Sequence, residues 1–350
     1  MRGSRRCRTD LEAVSAIELF SKIEAMPKAE LHVHLEGSIR PAVAAALAER
    51  HGVKIGEEEV VRRYAYENFA DFIEAFKWVT SFVRGPRDFA LIAADLAEQL
   101  LGQRVAYAEV TLSVGVMLLR KQDPQANFEA ILEAVEPFER RGVRLNWIFD
   151  AVRQFGPAAA YDVVDWARRC DSARIVGFGI GGDELSTATK DLVPVYKHAK
   201  YCGLHRLIHA GEIGGPAKVR EAVELLGAER VGHGIAAAHD VGLMDLLAER
   251  RIVLEVCPVS NLRTGALKRQ LGKEDVSLRE HPLPRLVRHG IPVVLSTDDP
   301  TMFHTTLREE YRQAQEMGLS ERELAGIVEN GFAFSFLSED ERSRFAIRSK

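Results

Sequence analysis

The segment Leu31-His32-Val33-His34-Leu35-Glu36-Gly37 is the first part of the chain whose side chains could do chemistry together. Alternate residues of a β-strand point the same way, so His32 and His34 share one face of a strand end. Two imidazoles so placed can hold a borderline-soft divalent cation such as Zn²⁺. An isolated H-x-H is more often a pair of histidines bonded to their neighbours, and this one is not isolated. His209-Ala210-Gly211-Glu212 adds a third imidazole with a carboxylic acid three residues on. Gly232-His233-Gly234 adds another, between glycines that allow close approach. Ser296-Thr297-Asp298-Asp299-Pro300 ends an apolar run with paired acids. Alone, that last motif would read as a turn or helix cap.

These residues need elements to carry them. Short β-rich runs are expected at Glu30–His34, Val105–Thr111, Arg144–Asp150, Ile175–Ile180, His205–His209, Arg230–His233, Ile252–Val256 and Pro292–Thr297. Amphipathic helical patterns lie between them, for example Ala159–Arg169, Val219–Leu226, Val241–Arg250 and Pro284–His289. Eight strand–helix units predict an α/β fold, a (β/α)₈ TIM barrel, with an open doubly wound sheet as the competing arrangement. The chemistry-bearing residues sit at or just beyond the C-terminal ends of separate strands. Those ends converge on one face only if the sheet closes, which favours the barrel.

The connection between the first two strands, residues 35–104, reads as several helices and forms a helical insertion at about 38–100. Its aromatic residues Tyr64, Tyr66, Phe69, Phe72, Phe76, Trp78 and Phe82 either pack the insertion on the barrel or face substrate from a cap over its mouth. Residues 1–26 read as a basic leader and first helix, and 27–350 as a single catalytic domain. A formal charge of −4 gives no basic field for a phosphate backbone, so nucleic acid is not an expected partner. The chain lacks an apolar run long enough to span a membrane, and no apolar stretch follows the basic start as a secretory signal would require. Cys7, Cys170, Cys202 and Cys257 lie far apart, which argues against a disulfide framework and for a cytoplasmic location. Cys257 reads as a buried small apolar residue. His205, His239, His281, His289 and His304 read as surface or packing residues.

The ordered motifs resemble the adenosine deaminase family of metal-dependent aminohydrolases. The resemblance runs from Pro27-Lys28-Ala29-Glu30-Leu31-His32-Val33-His34-Leu35-Glu36-Gly37-Ser38 to Thr297-Asp298-Asp299-Pro300. Between these come Gly181-Gly182-Asp183-Glu184, His209-Ala210-Gly211-Glu212, Val231-Gly232-His233-Gly234 and Cys257-Pro258-Val259-Ser260-Asn261. The resemblance implies that His32, His34, His209 and Asp298 hold one Zn²⁺ per subunit. It implies that Glu212 protonates purine N1 and that His233 orients or deprotonates the attacking water. Asp299 would contact N7, and the Gly182 backbone N3. Zinc lowers the pKa of a water towards ~7, and protonation at N1 opens C6 to attack. Glu212 must then keep its proton near neutral pH, which burial would provide. Barrel amidohydrolases with two metals bridge them by a modified lysine after the fourth strand. Here that strand ends Gly177-Phe178-Gly179-Ile180-Gly181-Gly182, so a single metal is expected. The H-x-E…P-C-x-x-C signature of cytidine-type deaminases is absent.

The expected partner is a small 6-aminopurine. Family members that use adenosine commonly carry His-Leu-Asp-Gly, whose acid helps hold the ribose. Here the longer Glu36 stands in its place as a candidate substrate contact, as in relatives acting on free adenine, 6-amino-6-deoxyfutalosine or modified adenosines. Arg153 either meets a carboxylate of the substrate or opens a helix towards solvent. The order of substrates is adenosine or an adenosine-like nucleoside, then 6-amino-6-deoxyfutalosine of a menaquinone route, then free adenine. A metal-dependent hydrolase of amide or phosphoester bonds would act without releasing ammonia. A non-catalytic purine- or metal-binding relative would bind without turnover, and would need neither Glu212 nor His233.

Overall fold

The computed structural model describes residues 21–66 and 69–348. Residues 1–20 of the expected leader, including Cys7, lie outside the described residues; residues 21–25 are helical. Eight parallel strands follow in sequence order: β1 (Lys28–His34), β2 (Val105–Leu112), β3 (Arg144–Val152), β4 (Ile175–Gly181), β5 (His205–Ala210), β6 (Arg230–His233), β7 (Val253–Val256) and β8 (Val293–Leu295). The strands are buried almost throughout, as expected where helices cover one face of a parallel sheet and the barrel core the other. Between them lie the expected helices, among them Gly156–Cys170, Pro216–Glu224, Val241–Glu249 and Leu283–Arg288. The architecture is a (β/α)₈ barrel, not an open sheet.

Residues of the site close the barrel. β8 is short, and its continuation bridges to β1 at Val33 and Asp298. There the amide of His34 donates to the Asp298 carbonyl at 2.8 Å, and the amide of Asp298 donates to the His32 carbonyl at 2.9 Å. Where the ladder lapses, the buried Glu30 carboxylate accepts from the amide of Thr297 at 2.9 Å. Backbone hydrogen bonds thus clamp His32, His34 and Asp298 together before any ligand is considered.

At the opposite end Phe332 and Leu337 pack with Ala29, Leu31, Tyr107, Val253 and Val294 and plug the barrel floor. The insertion after β1 forms the helices Pro41–Arg50, Glu57–Arg63, Phe69–Thr80 and Pro86–Gly102. It packs on the barrel, the first of the two roles expected of it. Tyr64, Phe72 and Phe82 are buried, and Phe72 packs on Phe303 at 4.9 Å between ring centroids. The Tyr66 hydroxyl donates to the Met302 carbonyl, which joins the insertion to the loop after Asp298-Asp299. Phe69 stays exposed and lines a cleft of about 550 Å³ with Ile213 and Thr264.

Candidate active site

β1 delivers His32 and His34, β5 His209, β6 His233, and the turn after β8 delivers Asp298. The His32 ring lies 5.4 Å from that of His34, 4.6 Å from His209 and 5.2 Å from His233. Asp298 Oδ1 is 3.5 Å from His32 Nε2 and 3.3 Å from His34 Nε2. Ligand atoms of His32, His209, His233 and Asp298 all lie within 4.8 Å of one another. His34 joins this group through Asp298. His233 and Asp298 adopt left-handed backbone conformations, φ 61° and 65°, which non-glycine residues take only where surroundings enforce it. Gly232 makes room for the cluster. A Cβ there would stand 2.7 Å from His32 Cε1, so the glycine admits a neighbouring imidazole.

A polar layer, of which only Glu184, Ser260 and Asn261 stood in the motifs, orients these groups. Glu255 on β7 accepts from His32 Nδ1 at 2.7 Å and is itself held by Arg230 Nε at 2.6 Å. Arg230 also donates to Glu109 on β2, and all three are buried. Ser260 Oγ donates to Asp298 Oδ2 at 2.6 Å. Thr264 Oγ1 donates to Glu212 Oε1 at 3.2 Å. Glu184, at the end of β4, accepts from the amides of Gly211, Ile213 and Gly214 at 2.6 to 2.9 Å, fixing the loop that carries Glu212. The run Cys257–Asn261 was visible as a motif, but what Ser260 and Asn261 touch depends on the barrel. Cys257 is buried, as expected. His281 is not a mere packing residue: it lies buried 3.2 Å from Asn261, whose amide is 3.0 Å from His233 Nδ1.

The electrostatics suit acid catalysis beside a cation. Burial, then the charges of Asp298 and Glu184, push the Glu212 carboxyl up to about 8. Its Oε2 lies 3.6 Å from His233 Nε2. Burial lowers His233 and His34 to about 4 each, and His209 well below its ordinary value. Burial also opposes charge on His32, but the carboxylates of Asp298 and Glu255 beside it outweigh burial and raise that group to about 10. Because Glu255 accepts the Nδ1 proton, a neutral His32 directs its lone pair through Nε2. That buried Nε2 has no hydrogen-bond partner among the described residues. A buried lone pair beside two further imidazoles and a carboxylate fits a divalent cation.

The remaining expected contacts divide. Asp299 is buried beside Asp298 with Oδ1 unpartnered, and burial together with that neighbouring charge raises it well above the carboxylate range. A neutral Asp299 would donate to an acceptor such as a ring nitrogen. Gly182 turns through φ 90°, and the next amide donates to Gln154 Oε1 at 3.0 Å. Glu36 is buried, and its Oε1 accepts from the amide of Ser113 at 3.2 Å. It borders a small cavity with Phe76, Thr80, Met117 and Arg120, under the insertion. Arg153 does not face solvent. It is buried and donates through Nη2 to the His209 carbonyl at 2.9 Å, bracing the end of β5.

The adenosine deaminase family model matches residues 27–349. The aminodeoxyfutalosine deaminase of Streptomyces coelicolor is 39% identical over 94% of this chain and 85% of its own length. An adenine deaminase of Chelativorans sp. is 33% identical over 92% of this chain and 98% of its own. Among solved structures, an amidohydrolase of Burkholderia ambifaria with bound zinc aligns at a TM-score of 0.83 and 25% identity, covering 94% and 90% of the two chains. No helix among the described residues is long and apolar enough to cross a membrane. The sequence match over nearly the whole length, and a group of histidines and aspartate able to hold a metal, place this chain in the adenosine deaminase family of metal-dependent hydrolases that act on C–N bonds.

Proposed function

We propose that the protein hydrolyses the 6-amino group of a purine nucleoside with one bound Zn²⁺, and that 6-amino-6-deoxyfutalosine is the first substrate to test. The observation that carries the reaction is Glu212, a carboxylic acid kept protonated to about 8 and set 3.6 Å from His233 at the rim of a cation-binding cluster. His32, His34, His209 and Asp298 would hold the ion. When bound, zinc supplies the Lewis acidity that makes a water nucleophilic near neutral pH. Glu212 gives its proton to N1, withdrawing electrons from C6. Asp299 holds N7 and the Gly182 backbone N3, so that the ring presents C6 to the water. Water adds at C6, the C6–N bond breaks, and the products are the 6-oxopurine and ammonia.

The substrate order follows the relatives. The 39% identity with an aminodeoxyfutalosine deaminase moves that nucleoside ahead of adenosine. Free adenine stays as the second reading because of the 33% relative named for it. Ammonia release by the zinc-loaded protein is measured on aminodeoxyfutalosine, adenosine, adenine and AMP. Turnover of the first, reduced ~10²–10⁴-fold in Glu212→Gln with zinc retained, supports the assignment. Preference for adenine would overturn the nucleoside, and silence on every amine would overturn the reaction.

A further inference from the structure

Two imidazoles of the site, His32 and His233, have buried Nε2 atoms without a partner among the described residues. Their other nitrogens meet opposite chemistry. His32 Nδ1 faces the Glu255 carboxylate at 2.7 Å, an acceptor, so a neutral His32 presents a lone pair at Nε2. His233 Nδ1 faces Asn261, whose side chain can offer either an acceptor or a donor. Which end of the amide faces His233 is decided two residues further out.

The amide of Leu283 lies 3.1 Å from His281 Nδ1. A backbone N–H only donates, so His281 Nδ1 carries a lone pair and the single proton of the neutral ring sits on Nε2. His281 Nε2–H lies 3.2 Å from Asn261 and needs an acceptor, which is Oδ1. Asn261 therefore turns Nδ2–H₂ to His233 Nδ1, 3.0 Å away. Nδ1 accepts, and the proton of a neutral His233 is left on Nε2. His281 and Asn261 are both buried, which shields the chain of bonds from exchange with solvent.

We propose that Asn261 and His281 are positioning residues that set His233 as its Nε2–H tautomer. His233 then presents a hydrogen-bond donor to the oxygen that attacks C6. An Nε2 that already carries a proton cannot take one from water and has no lone pair for a cation. The same polarity separates His233 from the nearby imidazoles. It leaves His32, His34, His209 and Asp298 as the natural ligands, although His233 Nε2 lies only 3.9 Å from Asp298 Oδ2. The tautomer stands on the hydrogen bonds alone, whereas its catalytic use rests on the deamination proposed above.

The test is ¹⁵N NMR of the ¹⁵N-histidine-labelled full-length chain at neutral pH, with zinc bound and after its removal. The expected spectrum shows Nε2 protonated and Nδ1 bare in both His233 and His281. A protonated Nδ1 on His233, in either tautomer or imidazolium, overturns the proposal without need of any variant. Asn261→Asp then replaces the donor by an acceptor of the same shape. It should move the His233 proton to Nδ1 and lower kcat by ~10²-fold or more with KM nearly constant. His281→Gln, which keeps an N–H towards Asn261, should retain the wild-type His233 pattern. An unchanged His233 spectrum in Asn261→Asp, or an inverted one in His281→Gln, would refute the relay. A correct spectrum in a protein inactive on every purine would keep the tautomer and discard the proposed reaction.

Discussion

Glu212 serves as an acid only while it keeps its proton, and its surroundings determine how long that lasts. Burial is the largest cause of the upward shift, Asp298 and Glu184 add to it, and the Thr264 hydroxyl opposes it. The sign follows from the role. The protonated form is the active one, so kcat/KM should hold through neutral pH and fall as pH rises through about 8. Thr264→Val removes a hydrogen bond that favours the ionised form, so its alkaline limb should move to higher pH. A limb unmoved in Thr264→Val would assign that ionisation to another group. Arg153 and Glu36, expected to contact substrate, each already hold a backbone group and keep a further buried polar atom, Arg153 Nε and Glu36 Oε2, without a partner among the described residues. Arg153 gives Nη2 to the His209 carbonyl, and Glu36 Oε1 accepts from the Ser113 amide.

Strand ends and the loops that leave them set the geometry at the next level. The C-terminal ends of β1, β5 and β6 and the turn after β8 converge because the sheet closes. Each loop is then fixed by a side chain from elsewhere, Glu184 for the Glu212 loop and Glu30 for the turn after β8. Gly232 sets how tightly β6 packs beside the imidazoles. Gly232→Ala would place a methyl group 2.7 Å from His32 Cε1, and His32 cannot yield without breaking its bond to Glu255. The expected outcome is zinc content well below one per chain by elemental analysis while the far-ultraviolet spectrum stays native. Full zinc occupancy in a folded Gly232→Ala protein would show that the cluster tolerates the displacement. The insertion after β1 adds a further constraint. Tyr66 and Phe72 bond and pack to the segment Met302–Phe303, so the insertion bears directly on the turn carrying Asp298 and Asp299.

Across the whole barrel a buried ionic network ties the floor to the site. Arg230 on β6 bridges Glu109 on β2 and Glu255 on β7, and also donates to the Phe334 carbonyl at 3.0 Å. Glu109 in turn accepts from the Phe336 amide at 2.6 Å, and Glu255 accepts from His32. The C-terminal segment and the histidine cluster are therefore joined through one guanidinium. Arg230→Met would leave two buried carboxylates without their cation. It should destabilise the protein by ~3–5 kcal/mol in urea unfolding, since breaking one side of a buried pair strands the other charge. A loss below ~1 kcal/mol, typical of an exposed pair, would mean that water enters and solvates Glu109 and Glu255.

The sequence by itself determined the periodicity, the order of eight strands and helices, and the polar residues that end the strands. These are local properties: alternation, apolar runs and motif spacing leave their mark within a few residues of chain. His32, His34, His209, Glu212, His233 and Asp298 were legible because each stands in a short motif at a strand end. Glu255, Arg230, Thr264 and His281 were not, nor was the contact that Ser260 makes from within its motif, because each acts on a partner distant in sequence. The His32–Glu255 bond spans 223 positions, and no local pattern marks it. Only the closed barrel decided which carboxylate faces which imidazole. That choice sets the polarity of each ring, because a neutral imidazole has one proton and the partner of one nitrogen dictates what the other can do.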